Sequence, residues 1–156
     1  MTSLYDIRTK IKEIIQNNVT DLNISRRRDG RDWVHTDFPR FDSEKPRIGI
    51  VTVSAPSPAL AVNTTQRRQE ADFQISILVD SNNKFINPDT NRYMNADETL
   101  EWFSEKLFPL LNANSDIIAL DKVHWCVIDD EGGINPQPTQ KIYQKNLNLR
   151  VELRRG

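Results

Sequence analysis

At 156 residues, with 37% hydrophobic and 28% charged residues, the chain has the size of one domain and the composition of a folded one. A net charge of −1 excludes a globally basic field for nucleic acid, although Arg26, Arg27, Arg28 and Arg31 are locally basic and residues 129–131 acidic. The single Cys126 excludes an internal disulfide; with no apolar run near the roughly 20 residues of a membrane span and no basic-then-apolar leader, a protein of a reducing compartment is expected.

The first element is a helix. Leu4, Ile7, Ile11, Ile14, Ile15, Val19 and Leu22 recur at spacings of three and four and form one apolar stripe. Ser3 and Asp6 are spaced as a capping pair. Residues 23–46 follow as a polar stretch with an Asp29-Gly30 turn, a short strand over 32–35, and Pro39 and Pro46. Residues 47–53, RIGIVTV, read as a strand apolar on both faces, hence central or covered by another subunit. Residues 55–70 form a connector too long for an ordinary loop of a compact domain. They read as a binding loop, or as two strand extensions forming an arm.

The stretch 71–80, ADFQISILVD, organises what surrounds it. Phe73, Ile75, Ile77 and Val79 alternate with Asp72, Gln74, Ser76 and Leu78, which places an apolar row on one face of a strand and a mostly polar row on the other. Residues 81–95 are turn-rich. A second helix starts near Asn95, with Glu98 at capping-box spacing and Leu100, Phe103, Leu107 and Leu110 as its stripe; Pro109 should kink it or end its regular part early. Residues 117–120 and 123–128 read as strand material, 129–133 as an acidic turn, and 134–139 as a continuing loop. Residues 141–153 form the longest strand, pairing with 123–128 in an antiparallel hairpin.

The sum is α–β–β–α–β–β, a single α+β domain with a mostly antiparallel four- to five-stranded sheet and two helices packed on one face. Helices of roughly 16 residues span about 24 Å, the length of a seven- or eight-residue strand. The second face is mixed: polar along 71–80 and 141–153, apolar at Val51, Val53, Cys126 and Ile128. A half-apolar open face or an unpaired edge is what an oligomer interface covers.

Catalytic patterns are missing. His35, His124 and Cys126 lack zinc spacing; His124 and Cys126 fall on one face of a strand, where a satisfied structural histidine is the plainer reading. There is no Gly-flanked nucleophile and no Gly-rich phosphate loop. Glu70, Asp72 and Asp80 bracket a strand as in metal-dependent nucleases, but Glu44-Lys45 and Glu105-Lys106 lie in a loop and a helix rather than on an adjacent strand. The acids at 129–131 do not have the spacing of a calcium loop, and the outward positions of 141–153 carry no rings on which bases would stack. No catalytic residue, metal ligand or cofactor is therefore assigned. Arg26, Arg27 and Arg28 fit an acidic partner or phosphate, or a solvated loop face.

The order of elements carries a resemblance. An amphipathic helix, a Trp33-Val34 then Pro-rich approach to Ile48-Gly49-Ile50-Val51, a long loop, the Phe73-x-Ile75-x-Ile77-x-Val79 strand, a helix bearing Trp102-Phe103 and a terminal hairpin follow one another. Over nearly the whole chain this resembles the tail-terminator and tail-completion (neck) proteins of long-tailed bacterial and archaeal viruses. The resemblance implies a non-enzymatic virion protein, made in the host cytoplasm, that forms a ring, usually of six subunits, on the last ring of the tail tube. Such a ring stops tube growth and meets the head-side connector, with DNA only as contents of its lumen and no membrane contact. It implies that the long loop, with Pro56, Pro58, Leu60, Val62, Gln66, Arg67 and Arg68, reaches a neighbouring subunit or the tube. Arg26, Arg27 and Arg28 would face an acidic partner or the DNA lumen. The alternatives are a small monomeric or dimeric α+β binding or adaptor domain and, behind it, a head-completion connector protein or a metal-dependent nuclease.

Overall fold

A computed structural model describes residues 3–19, 33–37, 46–54, 68–81, 85–130, 135–137 and 141–154. Helix α1 (Leu4–Asn18) begins where Ser3 Oγ accepts from Asp6 N at 3.1 Å and Ser3 N donates back to Asp6 Oδ2 at 2.7 Å, the reciprocal cap that its spacing predicts. Its buried stripe is Ile7, Ile11, Ile14 and Ile15. Strands β1 (Val34–His35), β2 (Arg47–Ser54) and β3 (Arg68–Asp80) follow, β3 starting three residues before the predicted strand.

The stretch expected to be only turns carries a two-stranded ribbon, β4 (Phe85–Ile86) against β5 (Tyr93–Met94). Asn91 closes it at φ 57, a left-handed conformation that asparagine tolerates. Helix α2 (Ala96–Leu111) is capped by Asn95 and Glu98 and continues through Pro109 to its last turn, because Asn112 N still bonds Phe108 O at 3.1 Å. Residues 117–120, expected as a strand, instead fall on a short helix α3 (Ser115–Ile118) and the turn after it. Asn114 Oδ1 accepts from both Asp116 N and Ile117 N and starts that helix, a side-chain cap that overrides the β-branched pattern. Strands β6 (Val123–Asp130), β7 (Asn135–Gln137) and β8 (Ile142–Arg154) complete the chain; β7 lies in the stretch expected as a loop.

The architecture is α+β. The main sheet has the order β1-β2-β3-β8-β6, with β7 also pairing β8. It is mixed where a mostly antiparallel sheet was expected, since β1 runs parallel to β2, and the described residues carry three helices where two were expected. The central pairing is long: β3 and β8 match from Arg68↔Arg154 to Asp80↔Ile142 without a break. The predicted hairpin partners, β6 and β8, are antiparallel. One face of the sheet buries Ile48, Ile50, Phe73, Ile75, Ile77, Leu147, Leu149 and Val151 against the stripes of α1 and α2. Each fully buried Ile, Leu or Phe contributes roughly 1.5–3 kcal/mol, so this layer is the main source of stability. Trp33 reaches over from the β1 segment to Phe103, ring centroids 6.0 Å apart, and ties the first part of the chain to α2.

Candidate interaction surface

The second face of the sheet is built by the residues that alternate with the core row. Register sets them in lines across the strands: Arg47, Leu78 and Gln144; Gly49, Ser76 and Asn146; Val51, Gln74, Asn148 and Asp129; then Asp72, Arg150 and Val127; then Glu70, Glu152 and Trp125. The two ends of this face differ. At one end Arg47, Ser76 and Leu78 are fully buried, and Arg47 Nη1 lies 3.0 Å from His35 Nε2. At the other end Trp125 is 45% exposed and Val127 38%, and Val53, the extra residue where the β2 register shifts between Thr52 and Ser54, is 59% exposed.

Between these apolar side chains lies a charged seam. Arg150 Nε is 3.2 Å from Asp72 Oδ1 and 3.6 Å from Glu70 Oε2, and Asn148 Nδ2 donates to the same Asp72 oxygen at 3.3 Å. The hydrogen bond to Asp72, reinforced by its charge and those of Glu70 and Asp129, raises the Arg150 pKa, so the guanidinium stays charged. An exposed pair of this kind contributes at most about 1 kcal/mol.

A bulge decides which residues of β6 reach this face. Val123 pairs Leu153 and Trp125 pairs Glu152, so His124 is the extra residue. Val123, Cys126 and Ile128 all turn to the core, whereas Trp125 and Val127 turn outward. This corrects two expectations. Cys126 and Ile128 do not belong to the second face, and His124 does not share a face with Cys126, because two residues rather than one separate the core positions Val123 and Cys126. Burial pushes the Cys126 thiol up from its ordinary value, as expected of an inert core thiol.

The outer edge of β6 is occupied. Cys126 O accepts from Ala113 N at 3.0 Å, and Ile128 N donates to Asn112 Oδ1 at 3.2 Å. Cys126 Sγ also donates to Leu111 O at 3.6 Å. Ala113 adopts φ 52 to make its contact, in the left-handed region that favours glycine. Among the described residues, the outer edge of β2 is paired by β1 at Ile48 and Gly49.

Arg26, Arg27, Arg28, Pro56, Pro58, Leu60, Val62, Gln66 and Arg67 lie outside the described residues. Arg68 opens β3, opposite Arg154. Among the described residues, no group of three or more His, Cys, Asp or Glu could hold a metal ion, and no helix is long and apolar enough to cross a membrane. Trp125, Val127, Asn112 and Ala113 were not singled out by sequence reasoning. The signal for the first two was period-two alternation at 125 and 127, masked by the bulge; the last two carry none. No protein-family model matches the chain, and no curated protein matches it.

Proposed function

We propose that the chain is a structural ring protein of the head-proximal end of a viral tail tube, which ends tube growth and joins the tail to the head-side connector. The observation that carries this reading is the half-open second face. Val53, the extra residue of a bulge on β2, and Trp125 with Val127 on β6 are exposed at the same end of the sheet and near opposite margins. Two different apolar margins on one protomer suit head-to-tail contacts, which close into rings when the rotation permits. The resemblance of element order to tail-terminator proteins supplies the place in the virion, and the absence of a catalytic constellation in the sequence fits a role without catalysis. In this role the long loop and Arg26, Arg27 and Arg28 serve contacts with the tube, a neighbour or the lumen.

Negative-stain electron microscopy and light scattering of the purified chain over a range of concentrations, alone and with tail tubes, test the reading. Six-fold rings, free or on tube ends, are expected. Twelve-fold rings would move the protein to the head side of the neck. A chain that stays monomeric in every condition and does not bind tubes would sink the ring reading in favour of a small adaptor domain.

A further inference from the structure

Strand β1 is held to β2 by few groups. Val34 and His35 pair with Ile48 and Gly49, and Ile48 N donates to Trp33 O at 2.9 Å. The parallel register sets Val34 on the core side with Ile48, and His35 on the second face beside Gly49, which has no side chain to fill that space. There Arg47 Nη1 lies 3.0 Å from His35 Nε2, within hydrogen-bond distance. A guanidinium carries N–H donors and no acceptor, and it keeps its charge in proteins. Arg47 is therefore the donor. His35 Nε2 is then the bare nitrogen of a neutral imidazole, with its hydrogen on Nδ1. Of the two partners, only the histidine can change its charge near neutral pH.

The charged groups that the described elements bring to this place are mostly cationic. Strand β2 has one charged residue, Arg47, and it is fully buried. From α1, which also packs on β1, Arg8 reaches the same segment and donates through Nη1 to Thr36 O at 2.8 Å. Helix α2 meets it through Phe103, against Trp33. On the segment itself the nearest charge is Asp37, exposed and two residues further on. A proton added at Nε2 would remove the acceptor for Arg47 Nη1 and set an imidazolium against a buried guanidinium, where little water screens the two. We propose that the His35–Arg47 contact is a proton-operated clasp, which holds β1 on the edge of β2 while His35 is neutral and lets it go when His35 is protonated. His35 is partly exposed, so the proton has access to it. Release frees Ile48 N from Trp33 O and loosens the packing of Trp33 on Phe103. The clasp stands or falls independently of ring formation.

The test compares the full chain with His35→Gln, whose side-chain carbonyl can accept from Arg47 at any pH, between pH 7.5 and pH 5. Nitrogen chemical shifts of the His35 ring at pH 7.5 should show Nδ1 protonated and Nε2 bare. Amide-exchange protection at Ile48 reads the release of β1, and Ile75 on the central strand β3 serves as the reference. Relative to Ile75, protection at Ile48 should fall as the pH drops below about 6.5, by up to about tenfold per pH unit, the slope of one linked proton. In His35→Gln it should stay level. A ring with its hydrogen on Nε2, or protection at Ile48 that does not fall in the full chain, would overturn the clasp. So would an equal fall in His35→Gln, which would assign the effect to other groups. The ring shifts and the Ile48 profile come from the full chain itself, so they decide the question even where His35→Gln fails to fold.

Discussion

Leu78 sits on the second face of the sheet, on the same side as the half-exposed Val127, yet it is fully buried. If that end of the face is closed as tightly as the core, Leu78→Ala behaves as a core truncation. It removes three carbons, which at about 0.8 kcal/mol each is about 2.4 kcal/mol of transfer free energy. The cavity left in a site that relaxes only in part brings the loss to about 2.7–5 kcal/mol. Val127→Ala removes two carbons from a side chain 38% exposed and costs about 1 kcal/mol or less. Urea unfolding followed by tryptophan fluorescence measures both, since Trp33 and Trp102 are buried and report loss of tertiary packing. For a chain of this length the Leu78 variant should also melt about 5–20 °C lower, with an unchanged denaturant slope. A Leu78→Ala loss within about 0.5 kcal/mol of the Val127→Ala loss would refute the division of this face into a closed and an open end.

Asn95→Ala removes the side chain that accepts from Glu98 N at 2.9 Å and should cost about 1 kcal/mol in urea unfolding, because α2 covers the centre of the sheet. Arg150→Ala breaks exposed pairs with Asp72 and Glu70 and should cost no more than about 1 kcal/mol at low salt, less as salt is added; a larger loss, indifferent to salt, would show that the seam is not solvent-screened. Burial raises the Cys126 thiol pKa in the folded chain, so its contribution is complete below the unfolded value of about 8.5 and is lost as pH rises past it towards the folded value. The stability difference between the full chain and Cys126→Ala should therefore shrink between pH 7 and pH 10. A difference that stays constant over that range counts against a buried neutral thiol.

The legible part of the fold was the part written in period. The α1 and α2 stripes and both reciprocal caps follow from spacings of three and four residues, and β3 and β8 each follow from strict alternation, although nothing in it shows that they pair with each other. Residues 117–120 misled because all four are apolar and two are isoleucines, a strand-like composition, whereas the structure there is fixed by one asparagine at 114. The ribbon of Phe85–Ile86 with Tyr93–Met94 is too short to show any period, and β7 contains Pro136, which argues against a strand unless it lies at an edge. Arg47 opens the strand run 47–53, and nothing in the local pattern signals that this charged side chain is buried.

The second face of the sheet was legible as mixed, but two of the apolar residues assigned to it were misplaced, and a single insertion explains why. Alternation from Val123 would send Trp125 inward and His124, Cys126 and Ile128 outward. With His124 absorbed by the bulge, the parity of everything after it inverts: Cys126 and Ile128 enter the core, and Trp125 and Val127 leave it. The inversion places a thiol and an isoleucine in the core and a valine and part of a tryptophan outside it, while β8 keeps its unbroken register with β3. It also sets the outer ladder of β6, because the carbonyl of Cys126 and the amide of Ile128 are the groups left facing away from β8 and towards residues 112–113. One extra residue thus determines both which apolar side chains are exposed at this margin and which backbone groups residues 112–113 cap. Deleting His124 should therefore do more than shorten a strand: it would restore simple alternation, turn Cys126 and Ile128 outward, and remove the acceptor and the donor that hold Ala113 and Asn112.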